Sequence, residues 1–216
     1  MNTNEKPIIP IFFASDDNYV PFMAVAIKSL LENASKEYFY NIHILNTGIN
    51  EDNQKRLHEL ETPNSKIYFK DLTENVIKIR DRLDATLRDY YTESIFYRIF
   101  IAALYPEYKK VIYLDGDIVV LDDISKMYNI DLEGNIFGVI TDDVINTTPQ
   151  FVTYAKEGVG VDNYFNSGVL LMDLDEYRKA KVQERFVYLL VNNFCNIHLL
   201  NHNQNIVLLD YKNVVI

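Results

Sequence analysis

The chain has 216 residues, of which 48% are hydrophobic, and its formal net charge is −10. This length is enough for one sizeable domain or two very small ones, and it allows a core of useful size to be buried. The acidic balance argues against nucleic acid as a partner, because phosphate binding requires clustered lysine and arginine side chains.

Cysteine content and hydropathy indicate the compartment in which the protein works. Cys195 is the only cysteine, so no disulfide can form within the chain, and a reducing compartment is favoured. The N-terminal residues lack the basic segment and long apolar run of a signal peptide. No apolar run approaches the ~20 residues that a membrane span requires. We therefore expect a cytoplasmic protein without a transmembrane segment, in contact with the inner face of the membrane at most transiently.

Strand-like and helix-like segments alternate through the first part of the chain. The pattern predicts strands over 8–15, 40–47 and 66–72, and helices over 21–35, 51–61 and 74–89. Pro21 suits the first turn of its helix, and apolar residues follow Met23 at helical spacing. This β-α-β-α-β order predicts a mainly parallel sheet with helices on both faces.

The second part continues the same alternation. It predicts helices over 94–105 and 176–193, and strands over 111–121, 135–143 and 164–174. The strand over 111–121 is expected to be central and to break at its carboxylates, and 145–163 is expected to be a loop or a weak helix. Internal repeats and Gly/Ser linkers are not visible. We therefore expect a single α/β domain over 1–216.

Acidic and amide side chains follow three of the predicted strands. Asp16, Asp17 and Asn18 follow the first, Asp115 and Asp117 lie on the fourth, and Asp142 and Asp143 follow the next. Ligands of open parallel sheets bind at the carboxyl ends of strands. The sequence therefore predicts a ligand site at this edge of the sheet.

Asp115 and Asp117 are separated only by Gly116, within an otherwise apolar run. Residues i and i+2 of an extended strand point to the same side, so both carboxylates could reach one point. A divalent cation would relieve their repulsion, and Mg²⁺ and Mn²⁺ prefer carboxylate and phosphate oxygens. Gly116 would let a ligand approach the backbone closely. A polar turn is the alternative, while a glycosidase acid/base pair would need carboxyls roughly 5–10 Å apart across a sugar.

Five segments, in order along nearly the whole chain, resemble glycosyltransferase family 8, the retaining nucleotide-sugar transferases. They are IFFASDDNYVPFMAVAIKSLLENA, YNIHILNTGIN, SIFYRIFIAALYP, YKKVIYLDGDIVVLDDI and YFNSGVLLMDL. The resemblance implies a Rossmann-like GT-A fold, a bound Mn²⁺ or Mg²⁺, and a UDP-sugar donor. A saccharide would be the acceptor.

The resemblance also implies roles for individual residues. Asp16 and Asn18 would bind uracil, and Tyr19 would stack on it. Asp115 and Asp117 would ligate the metal, Asp115 would also lie near the ribose, and Arg98 would hold the donor near its diphosphate and sugar. The sugar and acceptor pocket would be lined by Asp142, Asn166 and Ser167. Structural alternatives remain open for several of these side chains. Asp16 could cap a helix, Tyr19 could lie in the core, Arg98 could form a structural salt bridge, Asn166 could satisfy backbone groups, and Asp142 could be a loop carboxylate.

Two departures from the family pattern concern the sugar site and the metal. The family usually has a DQD segment, but the aligned stretch here is HNQNIV, with Asn203 and Asn205 in place of the acids. Gln204 would be the amide nearest the anomeric carbon, and a helix-surface role is its alternative. The histidine that usually provides a third metal ligand has no counterpart, since neither His198 nor His202 lies in a matching segment. The chain is therefore expected to be short at its C-terminus relative to the family.

The sequence thus predicts a metal-dependent retaining hexosyltransferase that moves glucose or galactose from UDP to a saccharide, in bacterial surface polysaccharide or lipooligosaccharide synthesis. A second hypothesis is a catalytically impaired nucleotide-sugar-binding domain that lacks the third metal ligand. A third is self-glycosylation on one of the sixteen tyrosines. Donor sugar, acceptor and oligomeric state are not indicated by the sequence.

Overall fold

The computed structural model describes residues 6–81, 94–141, 165–191 and 206–208. The strands are β1 (Ile8–Ala14), β2 (Phe39–Asn46), β3 (Ser65–Asp71), β4 (Lys110–Leu114), β5 (Phe137–Thr141), β6 (Phe165–Asp173) and β7 (Ile206–Leu208). The helices are α1 (Val20–Asn33), α2 (Glu51–His58), α3 (Thr73–Arg80), α4 (Ser94–Tyr97), α5 (Ile101–Leu104), α6 (Ser125–Tyr128), α7 (Leu174–Lys179) and α8 (Val182–Val191), and a 3₁₀ turn, Arg98–Phe100, joins α4 to α5.

Within the described ranges, the strands form one seven-stranded sheet in the order β3-β2-β1-β4-β6-β5-β7. The β1–β2, β2–β3, β1–β4 and β5–β7 pairs are parallel, whereas β6 is antiparallel to both β4 and β5. The predicted α/β class with a mainly parallel sheet is confirmed. Because β6 runs the opposite way, its first residues lie at the same edge as the carboxyl ends of β1, β4 and β5.

The central strands β1 and β4 are buried on both faces, which is why they are nearly continuous apolar runs. The edge strand β3 instead alternates buried and exposed residues. Along β1, Ile9, Ile11 and Phe13 belong to the core under α1, while Phe12 belongs to the core on the opposite face. The second core is covered by the helical segment over 94–104 and by α7. Packing on both faces holds the strands in place and thereby positions the edge of the sheet at which β1, β4 and β5 end.

Two predicted helices are interrupted in the structure. The apolar segment over 94–105 was expected to be one helix, but the 3₁₀ turn at Arg98–Phe100 divides it. The segment over 176–193 is divided into α7 and α8 by Lys181, whose φ of 53° lies in the left-handed region. Apolar spacing persists across both breaks, so periodicity does not reveal them. None of the described helices is long and apolar enough to cross a bilayer.

A short helix that the sequence pattern did not predict, α6, begins after Asp123. The Asp123 carboxylate accepts hydrogen bonds from the Ser125 backbone N–H at 3.0 Å and from its hydroxyl at 2.7 Å. Asp123 Oδ1 also accepts from the Ser35 N–H at 3.2 Å. One carboxylate therefore starts α6 and ties the loop after β4 to the end of α1.

A buried histidine lies in an aromatic cluster away from the acidic edge. His43 on β2 stacks between Phe12 and Tyr68, with ring centroids 4.7 and 5.1 Å away. Its Nε2 is 3.0 Å from the Tyr108 hydroxyl, and the edge of Tyr105 lies against the ring. Burial lowers the pKa of His43 to about 4. The imidazole is therefore neutral at neutral pH.

We expect His43 to make the protein less stable as the pH falls below about 6.5. Between the ordinary pKa of 6.5 and the folded value of about 4, the unfolded chain binds the proton and the folded chain does not. Stability should therefore fall by roughly 3 kcal/mol across this interval. Urea unfolding from pH 7 to pH 4 checks this, with His43→Phe as the comparison. An identical pH dependence in both proteins would contradict it.

Candidate functional site

The site is built around the end of β4, where the backbone leaves the sheet. β4 ends at Leu114, and the Asp115 N–H donates to the Gly168 carbonyl of β6 at 2.7 Å. Gly116 and Asp117 then form a turn. The expected break at the carboxylates is confirmed, although the strand ends at Leu114 and does not resume over the rest of 111–121. The extended backbone on which the same-side argument for Asp115 and Asp117 depended is absent, because the chain turns directly after its last pairing with β6.

The charges of both carboxylates nevertheless act on one buried side chain, that of Tyr113. Tyr113 is fully buried, and its pKa is raised first by burial and also by the charges of Asp115 and Asp117, against the lowering effect of Arg98. Both acids are thus close enough to act on one phenol. Asp117 is exposed and accepts no hydrogen bond from the described residues. Its carboxylate is accessible to a ligand.

Arg98 brings a positive charge to this edge of the sheet. Its Nη2 lies 3.4 Å from Asp115 Oδ1, and its Nη1 donates to the Ser167 carbonyl of β6. The guanidinium carbon lies 4.5 Å from the ring centroid of Tyr113. Its Nε is buried and has no acceptor among the described residues. The side chain thus makes the ion pair that was named as its structural alternative.

Arg178 shows what a purely structural arginine looks like in the same fold. Its Nε donates to the Ala102 carbonyl and its Nη2 to the carbonyls of Tyr105 and Tyr108, at 2.9 to 3.1 Å. Its Nη1 pairs with Asp175 at 3.0 Å. Each of its nitrogens has an acceptor, whereas Arg98 Nε has none within the part of the chain that the structure describes. A buried donor without an acceptor is costly, so the surroundings of Arg98 differ from those of a fully satisfied structural arginine.

Two residues that sequence reasoning missed contact the Asp115 carboxylate. The Tyr113 hydroxyl donates to Oδ1 at 2.8 Å. A Cβ at Gly168 would lie 2.9 Å from Asp115 Cγ and closer still to Oδ2. Tyr113 could have been found from the i, i+2 spacing on a buried strand. Gly168 lies inside the quoted FNSGV stretch, but no sequence signal indicates which side chain it faces.

Asn166 and Ser167 are exposed on the first residues of β6. Asn166 Oδ1 accepts from the Gly168 N–H at 2.7 Å, which is the backbone-satisfying role named as its alternative. Ser167 contributes its carbonyl to Arg98 rather than its hydroxyl. Both residues therefore shape the backbone around Asp115 and Arg98, while their exposed side chains remain candidates for the sugar pocket.

The turn after β1 lies beside β4, because Phe13 pairs with Leu114. Asp16 Oδ1 accepts from the Tyr19 N–H at 3.0 Å, so this acid stabilises the turn before α1. Asn18 is exposed, and Tyr19 is 50% exposed, which excludes the core role for Tyr19. These three side chains remain accessible at the same edge as Asp115.

Asp17, to which the sequence assigned no role, fixes the position of this turn. Its carboxylate accepts from the Asn50 N–H at 3.0 Å, from Asn50 Nδ2 at 2.6 Å and from Asn53 Nδ2 at 2.9 Å. These hydrogen bonds, led by the Asn50 N–H, lower the pKa of Asp17. Asn50 also caps α2 by accepting from the Asn53 N–H. The turn is thereby tied to the start of α2.

Gly116 is buried against α1, and a Cβ there would lie 3.1 Å from the Cβ of Met23. The glycine is therefore needed for the packing of α1, and close approach of a ligand stays a prediction. Asp142, Gln204, Asn203 and Asn205 lie outside the described residues, as do Cys195, His198 and His202. Their predicted roles are not addressed by the geometry.

The end of β4 and the turn after it provide two candidate metal ligands, Asp115 and Asp117. The described residues contain no group of three or more histidine, cysteine, aspartate or glutamate side chains arranged to hold a metal ion. Asp115 and Asp117 fit as two carboxylate ligands at one edge, and Mg²⁺ or Mn²⁺ sites often combine one or two carboxylates with substrate phosphates and water. The two carboxylates are thus compatible with a metal ion that is also coordinated by the phosphates of a substrate.

Solved glycosyltransferase structures share this fold. The bifunctional glycosyltransferase WbbM superimposes with a TM-score of 0.79 at 19% identity, covering 98% of this chain and 40% of that one. The galactosyltransferase LgtC, in complex with donor and acceptor sugar analogues, gives 0.71 at 23% identity, covering 94% of this chain and 74% of that one. These likenesses confirm the predicted Rossmann-like GT-A fold.

Sequence relatives and a family match extend the comparison. General stress protein A of Bacillus subtilis is 29% identical over 194 residues, 88% of this chain and 63% of the relative. Lipopolysaccharide 1,2-glucosyltransferase of Escherichia coli is 24% identical over 194 residues, 88% of this chain and 55% of the relative. The chain thus spans between about half and two thirds of these relatives. The model of glycosyl transferase family 8 matches residues 10–216, and the chain therefore belongs to that family.

Proposed function

We propose that this chain is a metal-dependent retaining hexosyltransferase, which moves glucose or galactose from a UDP-sugar to a saccharide acceptor. The observation that carries the proposal is the meeting of Asp115 with Arg98, whose buried Nε lacks an acceptor among the described residues, beside the exposed Asp117. Two acids and one cation with spare donors suit a ligand made of a metal ion and a diphosphate.

Asp115 and Asp117 would hold Mn²⁺ or Mg²⁺. When bound, the ion supplies positive charge that stabilises the diphosphate as it leaves the sugar. Asp115 is held by backbone pairing with Gly168 and by the Tyr113 hydroxyl, so it would provide a fixed ligand. Asp117 is exposed in the following turn and would complete the protein's share of the coordination.

Arg98 would bind the diphosphate and stabilise the negative charge that develops on it. Its guanidinium is already oriented by Tyr113 and by the Ser167 carbonyl. Preorganised donors of this kind act on the transition state without having to reorganise. A planar guanidinium also binds two oxygens at once, which a lysine cannot do.

The turn after β1 would bind the uridine. Tyr19 is half exposed and would stack on uracil, and Asp16 retains one carboxylate oxygen for the base, beside the exposed Asn18 amide. Asp17 would act only indirectly, by tying this turn to α2. The nucleotide would then lie across the ends of β1 and β4.

Transfer would proceed on the face from which UDP leaves. The bond between the anomeric carbon and the diphosphate oxygen breaks, and UDP keeps the electron pair. The acceptor hydroxyl forms the new bond on the same face and gives its proton to the departing diphosphate. Asn166, Ser167, Asp142 and Gln204 would line the sugar and the acceptor. The Escherichia coli lipopolysaccharide glucosyltransferase relative supports a role in bacterial surface saccharide synthesis.

Calorimetric titration with UDP, with and without Mn²⁺, tests the binding half of this proposal. We expect UDP to bind much more tightly when Mn²⁺ is present. UDP release from UDP-glucose and UDP-galactose, with candidate saccharides added, tests the transfer half. A protein that binds UDP equally well without metal would contradict metal dependence, and absence of UDP binding would contradict the nucleotide-sugar assignment.

A catalytically impaired binding domain is the second candidate function. It is supported by the missing acids at Asn203 and Asn205 and by the absence of a third metal ligand among the described residues. This hypothesis predicts Mn²⁺-dependent binding of UDP without release of UDP from either sugar nucleotide. Turnover with any acceptor would reject it.

A further inference from the structure

Both oxygens of the Asp115 carboxylate have close neighbours among the described residues. Oδ1 accepts from the Tyr113 hydroxyl at 2.8 Å and lies 3.4 Å from Arg98 Nη2. Oδ2 lies directly over Gly168, where a Cβ would overlap it. Two donors therefore engage one carboxylate oxygen, and the other meets a position that has no side chain.

Packing alone does not account for the Tyr113 hydroxyl. Tyr113 lies on β4 and is 1% exposed, so a phenylalanine would fill the same core volume. A buried hydroxyl requires an acceptor, and here the acceptor is the carboxylate of Asp115. The ring of the same tyrosine supports the Arg98 guanidinium at 4.5 Å. One side chain thus contacts both charged groups of the site.

Gly168 is likewise not explained by backbone conformation, because its φ does not lie in the left-handed region. The reason for a glycine is space, since a Cβ would also lie 3.0 Å from Asn166 Oδ1. That amide oxygen accepts from the Gly168 N–H at 2.7 Å. An alanine would therefore press on the carboxylate and on the amide together.

We propose that Tyr113 and Gly168 are positioning residues for Asp115, which leave Oδ2 as the oxygen that binds the metal. Tyr113 orients the carboxylate through Oδ1, and Gly168 keeps the space beside Oδ2 open. Neither residue touches the substrate in this scheme. The inference rests on the proposed function, because it assigns the geometry of the same metal site.

The test measures Mn²⁺ affinity rather than turnover. Free Mn²⁺ is followed by electron paramagnetic resonance while the metal is titrated into protein saturated with UDP. We expect Tyr113→Phe and Gly168→Ala each to weaken Mn²⁺ binding by about 10- to 100-fold, the range typical of groups that orient metal ligands. UDP affinity measured without metal should stay within about twofold of wild type, because neither residue contacts the nucleotide.

Tyr40→Phe is the matched control. Tyr40 is also a fully buried tyrosine on a central strand, β2, and its hydroxyl donates to the Ser35 carbonyl at 3.1 Å, away from the site. Its loss should leave Mn²⁺ affinity unchanged. Circular dichroism checks that each variant is folded, and Gly168→Ala keeps the test decisive if Tyr113→Phe does not fold.

The outcomes separate this inference from the proposed function. If wild type binds Mn²⁺ with UDP and both folded variants bind it equally well, the positioning roles are overturned and the proposed function stands. If wild type does not bind Mn²⁺, the proposed function is overturned and this inference falls with it. Weakened metal binding in the two variants, with the Tyr40→Phe control intact, supports the positioning roles.

Discussion

Asp117→Asn is expected to weaken Mn²⁺-dependent UDP binding by about 100-fold or more and to reduce sugar transfer at least as much. The amide keeps the shape of the carboxylate but loses its charge, and loss of a direct ligand should exceed the 10- to 100-fold effect of an orienting group. Stability should change by less than about 0.5 kcal/mol, because Asp117 is exposed and without a hydrogen bond from the described residues.

Asp52→Asn serves as the charge-matched control for Asp117. Asp52 is an exposed acid on α2 that pairs with Lys55 at 3.6 Å, and its replacement by asparagine changes the net charge by the same amount. A general attraction of the acidic protein for Mn²⁺ would be weakened equally in both variants. Unaltered Mn²⁺-dependent UDP affinity in Asp117→Asn would reject this residue as a metal ligand.

Arg98→Gln is expected to lower kcat/KM by about 10²- to 10³-fold, the range for removing a preorganised donor to a developing negative charge. UDP affinity should fall as well, since the guanidinium is assigned to the diphosphate. Steady-state kinetics with UDP-glucose and UDP-galactose, together with UDP titration, measure both effects. Arg98→Lys should recover only a small part of the activity, because an ammonium lacks the planar pair of donors.

Arg178→Gln is the control that separates a ligand-binding arginine from a structural one. Arg178 donates from Nε and Nη2 to three backbone carbonyls, so its replacement should lower stability by about 1–3 kcal/mol. UDP affinity should remain that of wild type wherever the variant is folded. If Arg98→Gln instead behaves like Arg178→Gln, with lost stability and normal UDP affinity, Arg98 is a structural salt-bridge residue.

The layers of the fold could be predicted because the central strands are buried on both faces and α1 has one apolar face. This packing requires an apolar run along β1 and apolar residues at helical spacing from Met23, and both patterns are visible in the sequence. The direction of β6 could not be predicted, because an apolar run has the same composition in a parallel and an antiparallel strand. That direction matters, since it brings Asn166, Ser167 and Gly168 to the edge where Asp115 lies.

The residue types of the site could be predicted, but not the contacts that orient them. Adjacent acids such as Asp16 and Asp17 are equivalent in the sequence, yet only Asp17 is held by Asn50 and Asn53. The 3₁₀ turn at Arg98 is also hidden, because apolar spacing continues through it. Contacts of this kind depend on long-range packing, which local patterns do not encode.

The most direct test of the account is a structure of the protein with UDP and Mn²⁺ bound. We predict one ion directly coordinated by oxygens of Asp115, of Asp117 and of the diphosphate. Arg98 should lie against the diphosphate, with Nε no longer lacking an acceptor. An ion bound elsewhere, or a diphosphate bound away from the end of β4, would contradict the account.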